Sequence, residues 1–420
     1  MDQKPVIAAV IAAVLVSAII LIAGAYITRH AEPPSEELPD THIAIGSDDE
    51  FASSIAYVSG SGTESNPYVL SITRVDFSSG TGLAISNTSA HFLLKDTEFR
   101  FRDVYRDCLL RTGLGVRVVN SSNFVVSNIS LIGCDLEVRL CSGFEVSDLP
   151  LLYHVATFDN CSDGLLADNR IQEVFIRNST GIVVRGNLNT TIVLRDCHDS
   201  DICQNVIKRS GITMSGCVGC RVYSNEANYV TADDGTIESR ISNNHIRNGT
   251  NGMHGAIQLN DAENVTVEDN VIEDCEWDAG IQLLYNVVNC TIVGNDISGC
   301  YGGISLRGAS GCVVYHNNIL SSRWSGGYIL GNQSRPPDDY YGDYHGGGIL
   351  DEQGWLNTWD GGYTGGGNYY FDYNGTDLYG GPAQDVPGAD GIGDTPLIVY
   401  TYLPGDPGVD RFPLMAPFSY

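Results

Sequence analysis

Between Val125 and Ile319 one short phrase recurs: an aliphatic residue, two mostly polar residues, an Asn, any residue, then often Ile. The Asn position is filled by Asn128, Asp148, Asn169, Asn187, Asn205, Asn225, Asn244, Asn270, Asn295 and Asn317, at intervals of 18 to 26 residues. Three positions earlier stand Val125, Glu145, Leu166, Val184, Ile202, Val222, Ile241, Val267, Ile292 and Val314, nine of the ten being aliphatic. Such marks, with no 3.6-residue period between them, describe short strands separated by sharp turns. A propeller blade needs about 40 residues, nearly twice this spacing, which leaves a solenoid. The spacing predicts an all-β parallel β-helix over 43–330, with coils stacked about 4.8 Å apart. In that stack each Asn side chain meets the next, and aliphatic columns fill a dry interior. Asn128, Asn169, Asn187, Asn205, Asn225, Asn244, Asn270, Asn295 and Asn317 are therefore expected to form a structural ladder.

A second strand of the coil shows as Ile257-Gln-Leu259, Ile281-Gln-Leu283 and Ile304-Ser-Leu306. Alternation turns Ile and Leu inward and Gln258, Gln282 and Ser305 outward, which makes these three the expected ligand-binding row. At the adjoining turn His254, Asp278 and Tyr301 share a column, where they are candidates for sugar contact or acid–base chemistry. Solenoid turns ordinarily carry polar residues as well. A glycosidase needs two carboxylates at a set separation, and only Asp278 occupies this column. Cysteines follow the same register: Cys290 and Cys312 lie five before their Asn, Cys275 and Cys300 five after, and Cys161, Cys197 and Cys217 eight before. Stacked cysteines fit either disulfides between coils or a ladder of buried thiols.

From Pro5 to Ile27 the chain carries no charge, long enough for a transmembrane signal anchor at 1–30 followed by an extended linker at 31–42. A cleaved secretory peptide ending near Ala25 is the other reading, and both export the remainder. Asn-x-Ser/Thr triplets at Asn87, Asn120, Asn128, Asn160, Asn178, Asn189, Asn248, Asn264, Asn289, Asn332 and Asn374 lie beyond that span, where glycosylation is available to them. With 51 acidic against 23 basic residues the net charge is −28, which excludes nucleic acid as a partner. The basic residues show no cluster in the repeats.

Residues 331–420 are rich in Gly, Tyr and Asp and read as a cap. Asp390 and Asp394, four apart among glycines, suit calcium or the hydrogen-bonded turns that Asp makes with backbone. Trp324, Tyr328, Tyr340, Tyr341, Tyr344, Trp355 and Trp359 either cover the end of the solenoid or offer rings to a ligand.

The stretches Gly60-Ser-Gly-Thr-Glu-Ser-Asn-Pro67-Tyr, Gly365-Gly-Gly-Asn-Tyr-Tyr-Phe-Asp372, Asp390-Gly-Ile-Gly-Asp-Thr-Pro396 and Asp410-Arg-Phe-Pro-Leu414, with the Asn repeats, resemble archaeal exported proteins of the NosD-like family. The resemblance implies a right-handed parallel β-helix closed by a Tyr-rich carboxyl end, within a wider class of β-helical carbohydrate-binding proteins and sugar hydrolases. Name-giving members are periplasmic copper accessory proteins. Soft copper ligands are scarce here, with 4 Met and no Met- or His-rich tract. The expected function is a membrane-anchored, outward-facing surface module that binds glycans or a cell-surface protein. A polysaccharide hydrolase or lyase on the same scaffold is the alternative, and copper delivery a third.

Overall fold

Alternation along each strand decides what the coil encloses. In the computed structural model the strand Thr191–Arg195 turns Ile192 and Leu194 inward, both fully buried, and Thr191, Val193 and Arg195 outward. Val174, Ile192, Ile212, Val230, Ile257, Ile281 and Ile304 pair in parallel register from coil to coil and form one continuous core column. The described residues are 41–102, 113–150, 152–188, 190–208, 210–247, 255–275, 279–300, 302–321, 349–351, 357–399 and 408–419. The expected span at 1–30 lies outside them, and among them no helix is long and apolar enough to cross a membrane.

Three parallel ladders form the faces. A first runs from Thr41–Ile45 to Ile349–Asp351, and a second from Tyr68–Leu70 to Val313–Tyr315. Long strands such as Gly113–Ser127 and Gly302–Ser310 run from one into the other. The third ladder holds Glu226–Ala227, His245–Arg247, Val271–Glu273, Asp296–Ser298, Asn318–Ile319 and Tyr369–Tyr370. Inside, Phe92, Phe124, Phe144 and Phe158 stack with ring centroids 4.9 to 5.7 Å apart. Gly164 is required there, because a β-carbon at that position would meet the Phe144 ring at 2.3 Å.

Corners are made by residues in the left-handed region, which Asn, Asp and Gly reach at least cost. Asn87, Asn120, Asn160, Asn178, Asp196 and Gly216 occupy one corner with φ between 47° and 64°. The next inward position carries small groups, and Cys161 N–H donates to Ser179 Oγ at 3.0 Å as Cys217 N–H does to Thr236 Oγ1 at 3.3 Å. Asn followed by a small residue and a hydroxyl is how this corner generates several of the Asn-x-Ser/Thr triplets. All eleven described cysteines are buried, in stacked columns along the coil.

The other corner carries the Asn ladder. Asn205 Oδ1 accepts from the backbone N–H and Nδ2 of Asn187 at 3.0 and 2.9 Å, while Asn205 Nδ2 donates to Val184 O and to Asn225 Oδ1. The same pattern repeats through Asn225, Asn244, Asn270, Asn295 and Asn317, all at most 2% exposed. Asn128 does not belong to it. Register places Asn128 and Asp148 one position early, exposed and at φ 48° and 55°, while buried Ile129 and Leu149 hold the ladder positions. With that shift the exception Glu145 is replaced by Val146, fully buried, and the aliphatic column becomes unbroken.

The solenoid also passes the expected boundary at residue 330. Ile349–Asp351, Thr358 and Tyr369–Tyr370 complete a further coil, in which Asn368 Oδ1 accepts from Asn317. Asn368 then donates its backbone N–H to Asp410 Oδ2 at 2.8 Å, ending the ladder on a buried carboxyl. Trp359, fully buried, belongs to this closing core, whereas Trp324, Tyr328, Tyr340, Tyr341, Tyr344 and Trp355 fall outside the described residues.

Replacing Asn225 with Ala strands the Asn205 N–H and the Ile202 carbonyl, each of which now has Asn225 as partner. At about 1–3 kcal/mol for each buried polar group left unsatisfied, Asn225→Ala is expected to lower unfolding free energy by roughly 3 kcal/mol. Chemical denaturation showing a loss below about 1 kcal/mol would contradict a structural role for the column.

Candidate functional site

The outward row expected at Gln258, Gln282 and Ser305 exists as a register: Thr213, Thr231, Gln258, Gln282 and Ser305 follow one another on successive strands. It is not open to solvent at that end. Gln258, Gln282 and Ser305 are only 5%, 3% and 5% exposed, and Gly255 N–H donates to Gln282 Oε1 at 3.3 Å. Alternation fixes which way a side chain leaves the sheet and is silent on what lies over it. His254, Asp278 and Tyr301 lie outside the described residues.

Followed toward the amino end, the same row opens. Thr157, Phe175, Val193 and Thr213 are half-buried on a strip of stacked strands, with Val174, Ile176, Ile192 and Leu194 beneath them in the core. The row two residues further along holds Arg139, Asp159, Arg177, Arg195 and Ser215. Arg139 faces Asp159 at 3.5 Å, and Asn178 Nδ2 donates to Asp159 at 3.0 Å. Arg177 and Arg195 are exposed and adjacent in register, the Arg177 guanidinium lying 5.4 Å from the Phe175 ring centroid. Basic residues therefore do cluster in the repeats, contrary to the expectation from the sequence. The signal was present, since Arg177 and Arg195 stand ten before Asn187 and Asn205, and Phe175 and Val193 stand twelve before them.

Two other polar groupings bear on the expectations from the sequence. On the third face His245 Nε2 and Glu273 lie 3.0 Å apart, with Arg247 2.8 Å from the same carboxylate. The His245 contact, against some desolvation, and Arg247 hold Glu273 below the usual carboxylate range, so it stays an ion-pair member. In the carboxyl-terminal segment Asp390 accepts from Tyr363 OH, Gly381 N–H and Ile392 N–H, and Asp394 from Thr376 OH, Leu378 N–H and Tyr379 N–H. Asp377 closes the group by accepting from Asp390 and Gly391. These oxygens face hydrogen-bond donors, the arrangement of Asp turns, and among the described residues no three His, Cys, Asp or Glu side chains are grouped as a metal ion needs.

The family described as periplasmic copper-binding protein (NosD) matches residues 209–335, a stretch that runs through the Asn ladder of the parallel coils. Over that stretch, under a third of the chain, the parallel coils are NosD-like. No curated protein matches it. Among solved structures, an alginate lyase from Paenibacillus sp. str. FPU-7 is 14% identical with a TM-score of 0.35, covering 57% of this chain and 99% of its own. A DFA-IIIase from Arthrobacter chlorophenolicus A6 is 13% identical with a TM-score of 0.35, covering 59% of this chain and 80% of its own. PfbA, a surface adhesin of Streptococcus pneumoniae, is 12% identical with a TM-score of 0.31, covering 57% and 84%.

Three of the buried thiols are held in their protonated form. Burial pushes the thiols of Cys134 and Cys141 up to about 12 and that of Cys161 to about 11, and Cys141 Sγ donates to the carbonyl of Arg139. Met214 is fully buried in the same core. Copper binds thiolate rather than thiol, so these groups serve packing.

The carboxyl-terminal segment is expected to lose stability at both ends of the pH scale. Desolvation pushes Asp390 and Asp394 up, but the backbone and hydroxyl donors outweigh it and hold both below the ordinary value. A lowered folded value contributes stability above the unfolded one, which is lost as pH falls through the folded value. Asp410 is the reverse: burial pushes it up to about 7 despite its four donors. Its contribution is complete below the unfolded value of 3.8 and lost as pH rises through about 7. Thermal unfolding across pH should show both limbs, with Asp394→Asn flattening the acid limb and Asp410→Asn the alkaline one. A Asp410→Asn profile parallel to wild type above pH 6 would contradict the assignment.

Proposed function

We propose that this NosD-like chain is an exported β-helix, tethered to a membrane by residues 1–30, that binds carbohydrate along the outward face of its first ladder without cleaving it. The observation that carries this reading is the open strip at Thr157, Phe175, Val193 and Thr213, where an aromatic ring lies among hydroxyls on a flat surface. Sugars present an apolar ring face and a hydroxyl edge, and such surfaces suit both. The carboxylates next to it support binding over chemistry. Glu137 is paired with Arg117 at 2.8 Å and Asp159 with Arg139, so each is turned to a guanidinium of the protein. Export is supported by the uncharged run from Pro5 to Ile27 and by the periplasmic setting of the matched family.

Incubating the full-length protein with a panel of neutral and acidic polysaccharides tests this directly. Retention of at least one polymer at unchanged chain length is expected, and Phe175→Ala should weaken it. Appearance of new reducing ends would replace the binding reading with a polysaccharide-cleaving enzyme. Failure to retain any glycan would leave a protein partner as the occupant of the strip.

A further inference from the structure

We infer that Arg177 and Arg195 form an anion-binding edge on this strip and that its ligand is a carboxylate-bearing polysaccharide, an inference that rests on the carbohydrate reading above. The first ground is where unpaired positive charge occurs. In a chain of net charge −28, Arg117, Arg139, Arg221 and Arg240 each face a carboxylate, respectively Glu137, Asp159, Asp201 and Glu268. Among the described residues Arg177 and Arg195 have no ion-pair partner, and neither do Arg170, Arg185 and Lys208. Of these five, only Arg177 and Arg195 stand side by side, one above the other in parallel register on the same face.

The second ground is what surrounds them. Nearby carboxylates are committed or turned away: Asp159 is held by Arg139 and Asn178, and Asp196, at the corner after Arg195, lies against Gly216 of the next coil. Glu173 is on the far side of Phe175, two strand positions from it. Arg177 and Arg195 leave backbones one strand spacing apart, about 4.8 Å, and among the described residues no carboxylate pairs with either, so an external anion is the group that fits beside them. Guanidinium presents paired N–H donors that match a carboxylate in the plane, which favours Arg over Lys at such a site. Phe175 and Val193, beside the two arginines, supply the apolar patch on which a sugar ring lies while its carboxylate reaches the edge.

Repetition is the third ground. Successive coils present the same side-chain positions at a fixed step along the axis, so a polymer with an anion on each unit meets Arg177 and then Arg195 in sequence. A folded acidic protein has no such regular step. The acidic remainder of the surface repels polyanions, which confines attachment to this edge and makes it salt-sensitive.

The test is binding of full-length protein to immobilised polygalacturonate, with dextran sulfate and neutral dextran alongside. Wild type is expected to bind polygalacturonate, and Arg177→Gln with Arg195→Gln to raise Kd by about tenfold or more, the size of one lost charged hydrogen bond. Arg170→Gln with Arg185→Gln, unpaired cations on other parts of the coil, should change Kd by less than about twofold, well under one such bond. Equal losses in the two double variants would show attraction by net charge and overturn the site. Tighter binding of dextran sulfate than of polygalacturonate overturns the choice of a carboxylate polymer. Binding of neutral dextran unchanged by either double variant, with no binding of the anionic polymers, sinks this inference and leaves the carbohydrate function standing. Unchanged circular dichroism and Tm in the variants keep misfolding out of the comparison.

Discussion

A peptide N–H at a sharp, buried corner must find an acceptor, and in this protein the acceptor is the side chain of an Asn one coil away. Asn187 illustrates the arithmetic: its Oδ1 receives the backbone N–H of Asn169, and its Nδ2 donates to Leu166 O and Asn205 Oδ1. One amide thus satisfies groups on the coils to either side, which neither Asp nor Leu at the same position can do. Asp lacks the donor and Leu lacks both functions. Everything else follows from holding that corner. The coil closes at a constant register, aliphatic residues stack into one core, and outward side chains line up into rows along the axis.

Different groups end the described stack on its two sides. At the amino end a short 3-10 helix, Asp48–Ser53, places the Phe51 ring 5.4 Å from Phe92 and 4.7 Å from Tyr68. At the carboxyl end Asp410 takes the place of another Asn, accepting from Asn368 and Tyr370 and passing nothing further. Its neighbour Arg411 binds Asp360 at 2.9 and 2.7 Å, tying the last segment to the final coil. Asp suits that position because its two oxygens take the donors of the last coil, whereas an Asn would add two N–H groups with no next coil to receive them.

Much of this was legible in the repeat. Period and aliphatic column identify a solenoid, and the Ile-x-Leu strands stack in the register their spacing implies, Ile257 on Ile281 on Ile304. Asn128 misled because Asn is favoured both at the ladder and at the left-handed residue just before it, and only Glu145 signalled the slip. The row expected to bind ligand exists as a register, but at Gln258, Gln282 and Ser305 it is covered. Spacing shows that Gln258 and Phe175 occupy one row, but whether a row is covered depends on segments with no periodicity. Arg177 and Arg195 were equally invisible as a pair until their strands were aligned, although the intervals to Asn187 and Asn205 contain that alignment. Seven of the Asn-x-Ser/Thr triplets begin at residues with positive φ, which explains their number by the needs of the corner.

The central claim, that the Asn column holds the coils together, is tested most directly by native-state amide hydrogen exchange. The backbone N–H groups of Asn187, Asn205, Asn225 and Asn244 are each bonded only to the next Asn side chain, at 3.0 Å in every case. If those bonds hold the stack, these four amides exchange only through the same cooperative opening as core amides such as Ile192 and Ile212. Exchange at the rate of exposed corner amides, while the core strands remain protected, would show that the coils persist without the ladder and would contradict the account.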